Sequence, residues 1–201
     1  MTPTPLPPCS ILILAGGRGA RMGGHDKGLL EWRGHPLVRW VHDAVRVLTD
    51  DLIISCNRHA ARYAELADQL VSDDSPGYPG PLAGFHAGLQ AMRHEVLVVL
   101  PCDAPGVDHS LVQALRHLAQ AHPGLPVMVR QDGEWDPMFC VIPASLRSAI
   151  ETAWQQGERS PRRLLRQLGA VALDCAAGDP RLANINTPEQ LKATALPRHQ
   201  D

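Results

Sequence analysis

The chain has 201 residues, with 19 Lys and Arg against 21 Asp and Glu, a formal net charge of −2 and an apolar fraction of 44%. That length suits one domain with a real core, expected to run over residues 1–201 with loose ends at 1–9 and 197–201. The charge balance offers no overall field to nucleic acid or an anionic membrane, so the expected ligand is a small anion rather than a polymer.

Five scattered cysteines (Cys9, Cys56, Cys102, Cys140 and Cys175), odd in number and without a C-x-x-C pair, argue against a disulfide framework or a zinc site. They suit a reducing, cytoplasmic setting. Residues 1–8 hold four prolines and no basic residue, which is not a signal peptide. No apolar run approaches the length that spans a bilayer.

In chain order, Ile11-Leu12-Ile13-Leu14 reads as one buried strand. Five glycines follow within nine residues (16–24), with Arg18, Arg21 and Lys27 among and after them. Glycine lets backbone N–H groups approach a ligand, and N–H groups beside Arg and Lys are what a polyphosphate needs. The loop is neither common phosphate motif. A P-loop needs Gly-Lys-Ser/Thr, but Gly24 is followed by His25 and Lys27 by Gly28; counting a G-x-G-x-x-G from Gly17 puts Met22 at the third glycine.

Pro36 can start a helix, carried on by Leu37, Val38, Val41, Ala44, Val45 and Leu48 at helical spacing. Asp51 to Cys56 reads as a second core strand, and Arg58 to Leu70 as another amphipathic helix. Strand and helix alternating in this way predict an α/β fold, a three-layer sandwich around a mostly parallel sheet. The Pro- and Gly-rich loop 72–81 carries Asp73 and Asp74, and helical spacing resumes at Leu82, Phe85, Leu89 and Met92. Val96 to Leu100 is the most strand-like run, ending in Pro101-Cys102-Asp103-Ala104-Pro105. Asp108 is placed to cap a helix to about Ala121. Two strands flank a turn at Gln131-Asp132-Gly133, and a helix spans about 144–156. Pro161 starts a short basic helix, Val171 to Asp174 forms a last strand, and Thr187-Pro188-Glu189-Gln190 has the form of a capping box.

Asp103, just past a buried strand, stands where open α/β sheets bind ligands. As a Mg²⁺ ligand it would fit an ion that takes one or two carboxylates plus substrate phosphates; on position alone a turn-capping aspartate fits equally. Cys102 is a poor nucleophile beside that carboxylate. His94-Glu95 is not H-E-x-x-H, because Val98 stands at the second His position.

The run Leu14-Ala15-Gly16-Gly17, three residues, Arg21-Met22-Gly23-Gly24, one residue, Asp26-Lys27 resembles the nucleotidyltransferase signature of the molybdenum cofactor guanylyltransferases. The resemblance extends from about Ile11 to Leu191 and is most specific in that loop, at Gly80 to Gly84, at Pro101 to Pro105, and at Asn184 to Glu189. It implies transfer of GMP from GTP to molybdopterin, with or without its metal, and release of pyrophosphate. It also implies that Arg21, Lys27 and Asp103 are catalytic, with Mg²⁺ as cofactor on Asp103. Leu14, Ala15, Gly16 and Gly17 would meet the nucleotide through the backbone, and Asp73 its base or ribose. Arg159, Asn184 and Asn186 would lie on the pterin side. Relatives hand their product to molybdoenzymes and chaperones, and some work beside a GTP-binding adaptor protein; a monomer or weak oligomer is expected.

Arg18, at a variable position of the signature, is a weaker candidate for the triphosphate. Two departures from the family pattern stand out: Ser55 stands where the family often has Asn, and Trp135-Asp136-Pro137-Met138 replaces a common His-Pro-Thr. The rival readings are a cytidylyltransferase or a sugar-1-phosphate nucleotidyltransferase of the same fold, and a non-catalytic GTP-binding module.

Overall fold

The computed structural model describes residues 5–16, 26–72 and 80–193. Its centre is a seven-stranded sheet made of β1 (Ser10–Leu14), β4 (Leu52–Ser55), β5 (Gln69–Val71), β6 (Val96–Pro101), β7 (Val127–Gln131), β8 (Glu134–Pro143) and β9 (Val171–Cys175). The strand order is β5-β4-β1-β6-β8-β7-β9, and β8 alone runs against its neighbours. A two-residue turn, Arg33-Gly34, joins the small hairpin β2 (Glu31–Trp32) and β3 (His35–Pro36). Both turn residues have positive φ, the conformation such tight hairpins require.

β1 shows why the sheet is covered on both faces. Ile11 and Ile13 point to one side, Leu12 to the other, and all three are fully buried. The first side packs against α1 (Leu37–Val45) and α4 (His109–Ala121) through Val38, Val41, Leu111 and Leu115. The second packs against α3 (Pro81–Ala91), α5 (Arg147–Gln155) and α6 (Pro161–Gln167) through Phe85, Leu89, Ile150 and Leu164. The result is the three-layer α/β/α arrangement predicted from the alternation of elements. The Asp108 carboxylate caps α4 by accepting from Leu111 N at 2.9 Å.

The long helix expected from Arg58 to Leu70 is not formed. It is replaced by α2 (Ala60–Tyr63), a 3₁₀ turn over Ala64–Leu66 and the edge strand β5. Tyr63 and Leu66 do face the core, and their three-residue spacing gave the helical pattern. Asp68 ends it: its carboxylate accepts from Leu52 N at 2.7 Å and pairs with Arg46 at 2.6 Å, turning the chain alongside β4. Part of the N-terminal stretch expected to be loose is also held. Arg116 donates to the Pro7 carbonyl at 2.5 Å, and Cys9 is buried.

At the rim formed by the strands' amino ends, the fully buried Asp51 carboxylate accepts from Ser10 Oγ (2.5 Å), Gln69 Nε2 (2.6 Å), and Arg93 Nε (2.8 Å) and N (2.9 Å). Burial pushes this carboxyl up, but the hydrogen bonds outweigh it and hold it below the usual aspartate range. Its stabilising effect is therefore complete above that range and is lost as the pH falls through the folded-state value. Asp51→Asn is expected to cost about 2 kcal/mol at pH 7, the scale of hydrogen bonds to a charged group, and clearly less at pH 3. Urea unfolding at the two pH values measures this; an equal cost at both would contradict it.

Candidate active site

The sheet's order reverses between β1 and β6, and an open α/β sheet offers its cleft at such a point, beyond the strands' carboxyl ends. β1 and β6 are in parallel register, with Leu14 opposite Pro101. Two further bonds continue the ladder past the strands: Cys102 N donates to Leu14 O (3.1 Å) and Ala15 N to Ser55 O (2.8 Å). The first glycine of the signature loop and Asp103 thus leave the sheet side by side.

Lys27, on a 3₁₀ turn over Lys27–Leu29, closes the cluster. Its ammonium contacts the Asp103 carboxylate and donates to Asn186 Oδ1 at 2.6 Å. Asp103 and Lys27 are both mostly shielded from solvent. The third segment is tied in by its backbone, since Ile185 N donates to Asp103 O at 2.9 Å. Asn186 is held from behind: Gln190 Oε1 accepts from Asn186 N (2.6 Å) and Thr187 N (3.1 Å), while Gln190 N donates to Thr187 Oγ1 (3.2 Å). This is the reciprocal capping box expected at the start of α7 (Pro188–Ala193).

The other candidate residues fall as follows. Arg18, Arg21, Gly17, Asp73 and Asp74 lie outside the described residues. The Leu14 carbonyl and the Ala15 N–H, expected to meet a nucleotide, are used in the extended ladder. A Cβ on Gly16 would stand 3.4 Å from Asn57 Nδ2, so Asn57 lines the start of the loop. Ser55 is buried, and its hydroxyl faces Gly84 of α3, where a Cβ would lie 3.1 Å away. An amide at this rim therefore comes from Asn57, which the sequence analysis did not single out. Gly84 and Gly88 serve packing, since a Cβ on either would come within 2.7 Å of a leucine of β1.

Asn184 Oδ1 is buried with no hydrogen-bond partner among the described residues, which marks an acceptor in need of a donor. Arg159 is not part of the Lys27 cluster. Its guanidinium lies 3.9 Å over the Trp154 ring and donates to the Trp154 carbonyl at 2.9 Å. Its own carbonyl lies 3.6 Å from where a Cβ of Gly80 would be, beside the start of α3.

Two acids were not anticipated. Asp26 is nearly buried and accepts from the Tyr63 hydroxyl at 2.5 Å, with His59 Nδ1 at 3.1 Å. Its only signal in the sequence is its place beside Lys27. Asp136 sits in an irregular stretch of β8, where pairing with β7 jumps from Cys140 opposite Met128 to Asp136 opposite Val129. Burial pushes its carboxyl up and the Asp103 charge adds to that, against the hydrogen bond from Met138 N and the pull of Arg162. The Cys102 thiol is raised by burial and then by Asp103, which keeps it protonated and inert as a nucleophile.

Among the described residues no three His, Cys, Asp or Glu side chains gather to cage a metal. Among the described residues, Asp103 offers a hard carboxylate at the cleft, with the Asn186 amide oxygen nearby. That donor set fits Mg²⁺, which completes its shell with waters and substrate phosphates. It does not fit zinc, which needs three or four protein ligands.

Residues 11–171 match the family described as the MobA-like NTP transferase domain. The chain belongs to the MobA-like NTP transferases. It is 60% identical over 185 residues to the molybdenum cofactor guanylyltransferase of Pseudomonas fluorescens, covering 92% of each chain. Against the molybdenum cofactor guanylyltransferase of Pseudomonas paraeruginosa it is 60% identical over 191 residues, covering 95% of this chain and 96% of the other. In fold it is similar to molybdopterin-guanine dinucleotide biosynthesis protein A from Archaeoglobus fulgidus, with TM-score 0.76, 23% identity, and coverage of 92% of this chain and 96% of that one. The 2-C-methyl-D-erythritol 4-phosphate cytidylyltransferase of Thermus thermophilus shares the fold too, with TM-score 0.69 and 18% identity over 92% of this chain and 96% of that one.

One glycine of this transferase links the cluster's two acceptor segments. A Cβ on Gly106 would fall 2.2 Å from the Pro180 carbonyl oxygen, where the Asp103 loop meets the approach to Asn184 and Asn186. Gly106→Ala is expected to cost about 2 kcal/mol by overpacking, and to lower turnover at temperatures where the variant remains folded. Unfolding curves alongside initial rates test this; an unchanged protein would mean that the two loops separate freely.

Proposed function

We propose that the enzyme transfers GMP from GTP to molybdopterin and releases pyrophosphate. The observation that carries this reading is the convergence of Lys27, Asp103 and Asn186 at the β1/β6 rim, in a chain 60% identical to molybdenum cofactor guanylyltransferases.

The acceptor is then a phosphate monoester whose second pKa is ~6, so it is largely dianionic at neutral pH. It needs no general base to become a nucleophile, and among the described residues no histidine joins the cluster. In the reaction one acceptor oxygen forms a bond to the α-phosphorus as the bond to the pyrophosphate oxygen breaks in line. The difficulty is electrostatic, because two anions must meet and a third must leave. Lys27 supplies positive charge at a fixed point, with two of its three N–H donors directed to Asp103 and Asn186. Mg²⁺, when bound, supplies charge neutralisation of the phosphates, and Asp103 is the residue that would hold it. The orphaned Asn184 Oδ1 suits an N–H donor of the acceptor. The Asn57 side chain stands beside Gly16 at the start of the loop, and Ser55 takes the place of the family's Asn.

The cysteines support a reducing, cytoplasmic setting for this chemistry: all five are free, and four are buried. No helix among the described residues is long and apolar enough to cross a membrane.

Lys27→Ala and Asp103→Ala are each expected to lower turnover at least ~100-fold, the scale of losing one preorganised charge-stabilising group. Near-normal turnover in either purified variant would remove that residue from the mechanism. Incubation of the enzyme with molybdopterin, Mg²⁺ and either GTP or CTP tests the substrates. GTP should yield the guanine dinucleotide by mass together with pyrophosphate, and CTP little of either. Preference for CTP, or product only with a sugar 1-phosphate, would reassign the enzyme; nucleotide binding without product would make it a binding module.

A further inference from the structure

Asp26 is one of the few charged side chains buried among the described residues, and the mechanism above assigns it no step. Its partner Tyr63 is fully buried, and the phenol donates to Asp26 Oδ1 at 2.5 Å. The same hydroxyl also crowds the next turn of chain: a Cβ on Gly28 would lie 2.6 Å from it and 3.3 Å from Cys102 Sγ. Residues 26 and 28 are thus both registered on one buried phenol, and Lys27 lies between them. Cys102, on the far wall, immediately precedes Asp103. His59 closes the other carboxylate oxygen from the solvent side at 3.1 Å, from a left-handed backbone position at φ 53°.

A lysine carries its charge on a flexible four-carbon stem, so its ammonium stays at one place only if the backbone beneath it is fixed. We infer that the Tyr63–Asp26 hydrogen bond is a positioning device for Lys27, setting its ammonium against the triphosphate side of the cleft from a buried anchor. Tyr63 and Asp26 are positioning residues here, acting through Lys27, and the inference rests on the role given to Lys27 above. Burial and then the Asp26 carboxylate push ionisation of the phenol far up, so Tyr63 remains a donor wherever the protein is folded. Gly28 is required for the same reason, because any side chain there would displace the hydroxyl. A purely architectural bond between the loop and α2 is the competing explanation. It differs in one measurable respect: its loss would act on the fold regardless of what stands at position 27.

A double-mutant cycle separates the two. The full-length wild type, Tyr63→Phe, Lys27→Ala and the double variant are assayed with GTP, Mg²⁺ and molybdopterin, reading kcat and KM for GTP. Tyr63→Phe is expected to lower kcat ~10-fold, as small displacements of a catalytic charge do, with KM for GTP changed less than ~3-fold. In the Lys27→Ala background the same change should have no further effect on kcat. An equal loss in both backgrounds, or no loss in the wild type, would overturn the positioning role while leaving Lys27 in the mechanism. Full activity of Lys27→Ala would remove Lys27 from the mechanism and the positioning role with it. Should Tyr63→Phe not fold, Asp26→Asn replaces it in the same cycle, with the same outcomes.

Discussion

The contact between Lys27 and Asp103 is the constraint on which the arrangement at the strands' carboxyl-end rim depends. Seventy-six positions separate the two residues, and only the parallel pairing of β1 with β6 brings their chain segments to one edge. A lone ammonium and a lone carboxylate this shielded from water would each be costly; together they satisfy one another and leave a compact dipole at the cleft. Asn186 completes the arrangement from the last fifth of the chain, through a backbone bond to Asp103 and a capping box behind it. Three distant stretches therefore share one point, held by the β1–β6 ladder, the Ile185–Asp103 backbone bond and the cap behind Asn186.

Much of this was legible in the sequence because it is written in local chemistry. The apolar runs at Ile11–Leu14 and Val96–Leu100, the prolines around Asp103 and the Thr187–Gln190 cap are each readable within a few residues, and each lies in the element expected. What escaped depends on contacts made across the fold. The 58–70 stretch carried a helical pattern, and it was Asp68 bonding to Leu52 N that made its end a strand. Ser55 looked like a missing contact, yet its hydroxyl turns toward Gly84 while Asn57 takes the rim. Asp26 looked like a letter of a motif, and only the fold places Tyr63 beneath it.

The family resemblance and the geometry carry different parts of the conclusion. Close relatives, alike along nearly their whole length, speak to the reaction. The structural neighbours, at less than a quarter identity, speak to the fold alone, and that fold also serves a cytidylyltransferase. Between them stands the local chemistry: among the described residues, a carboxylate, an ammonium and amide groups at the switch point, a set suited to handling phosphates and unsuited to caging a soft metal.

The two rims of the sheet are built on opposite terms. At the amino-end rim, Asp51 is saturated with donors and sealed from water; at the opposite rim, Asn184 Oδ1 has no hydrogen-bond partner among the described residues. The molecule thus has a floor and a workbench, and a designer wishing to harden it against heat has a place to do so. Changes beneath Asp51 would tune endurance without touching the rim that carries Lys27, Asp103 and Asn186.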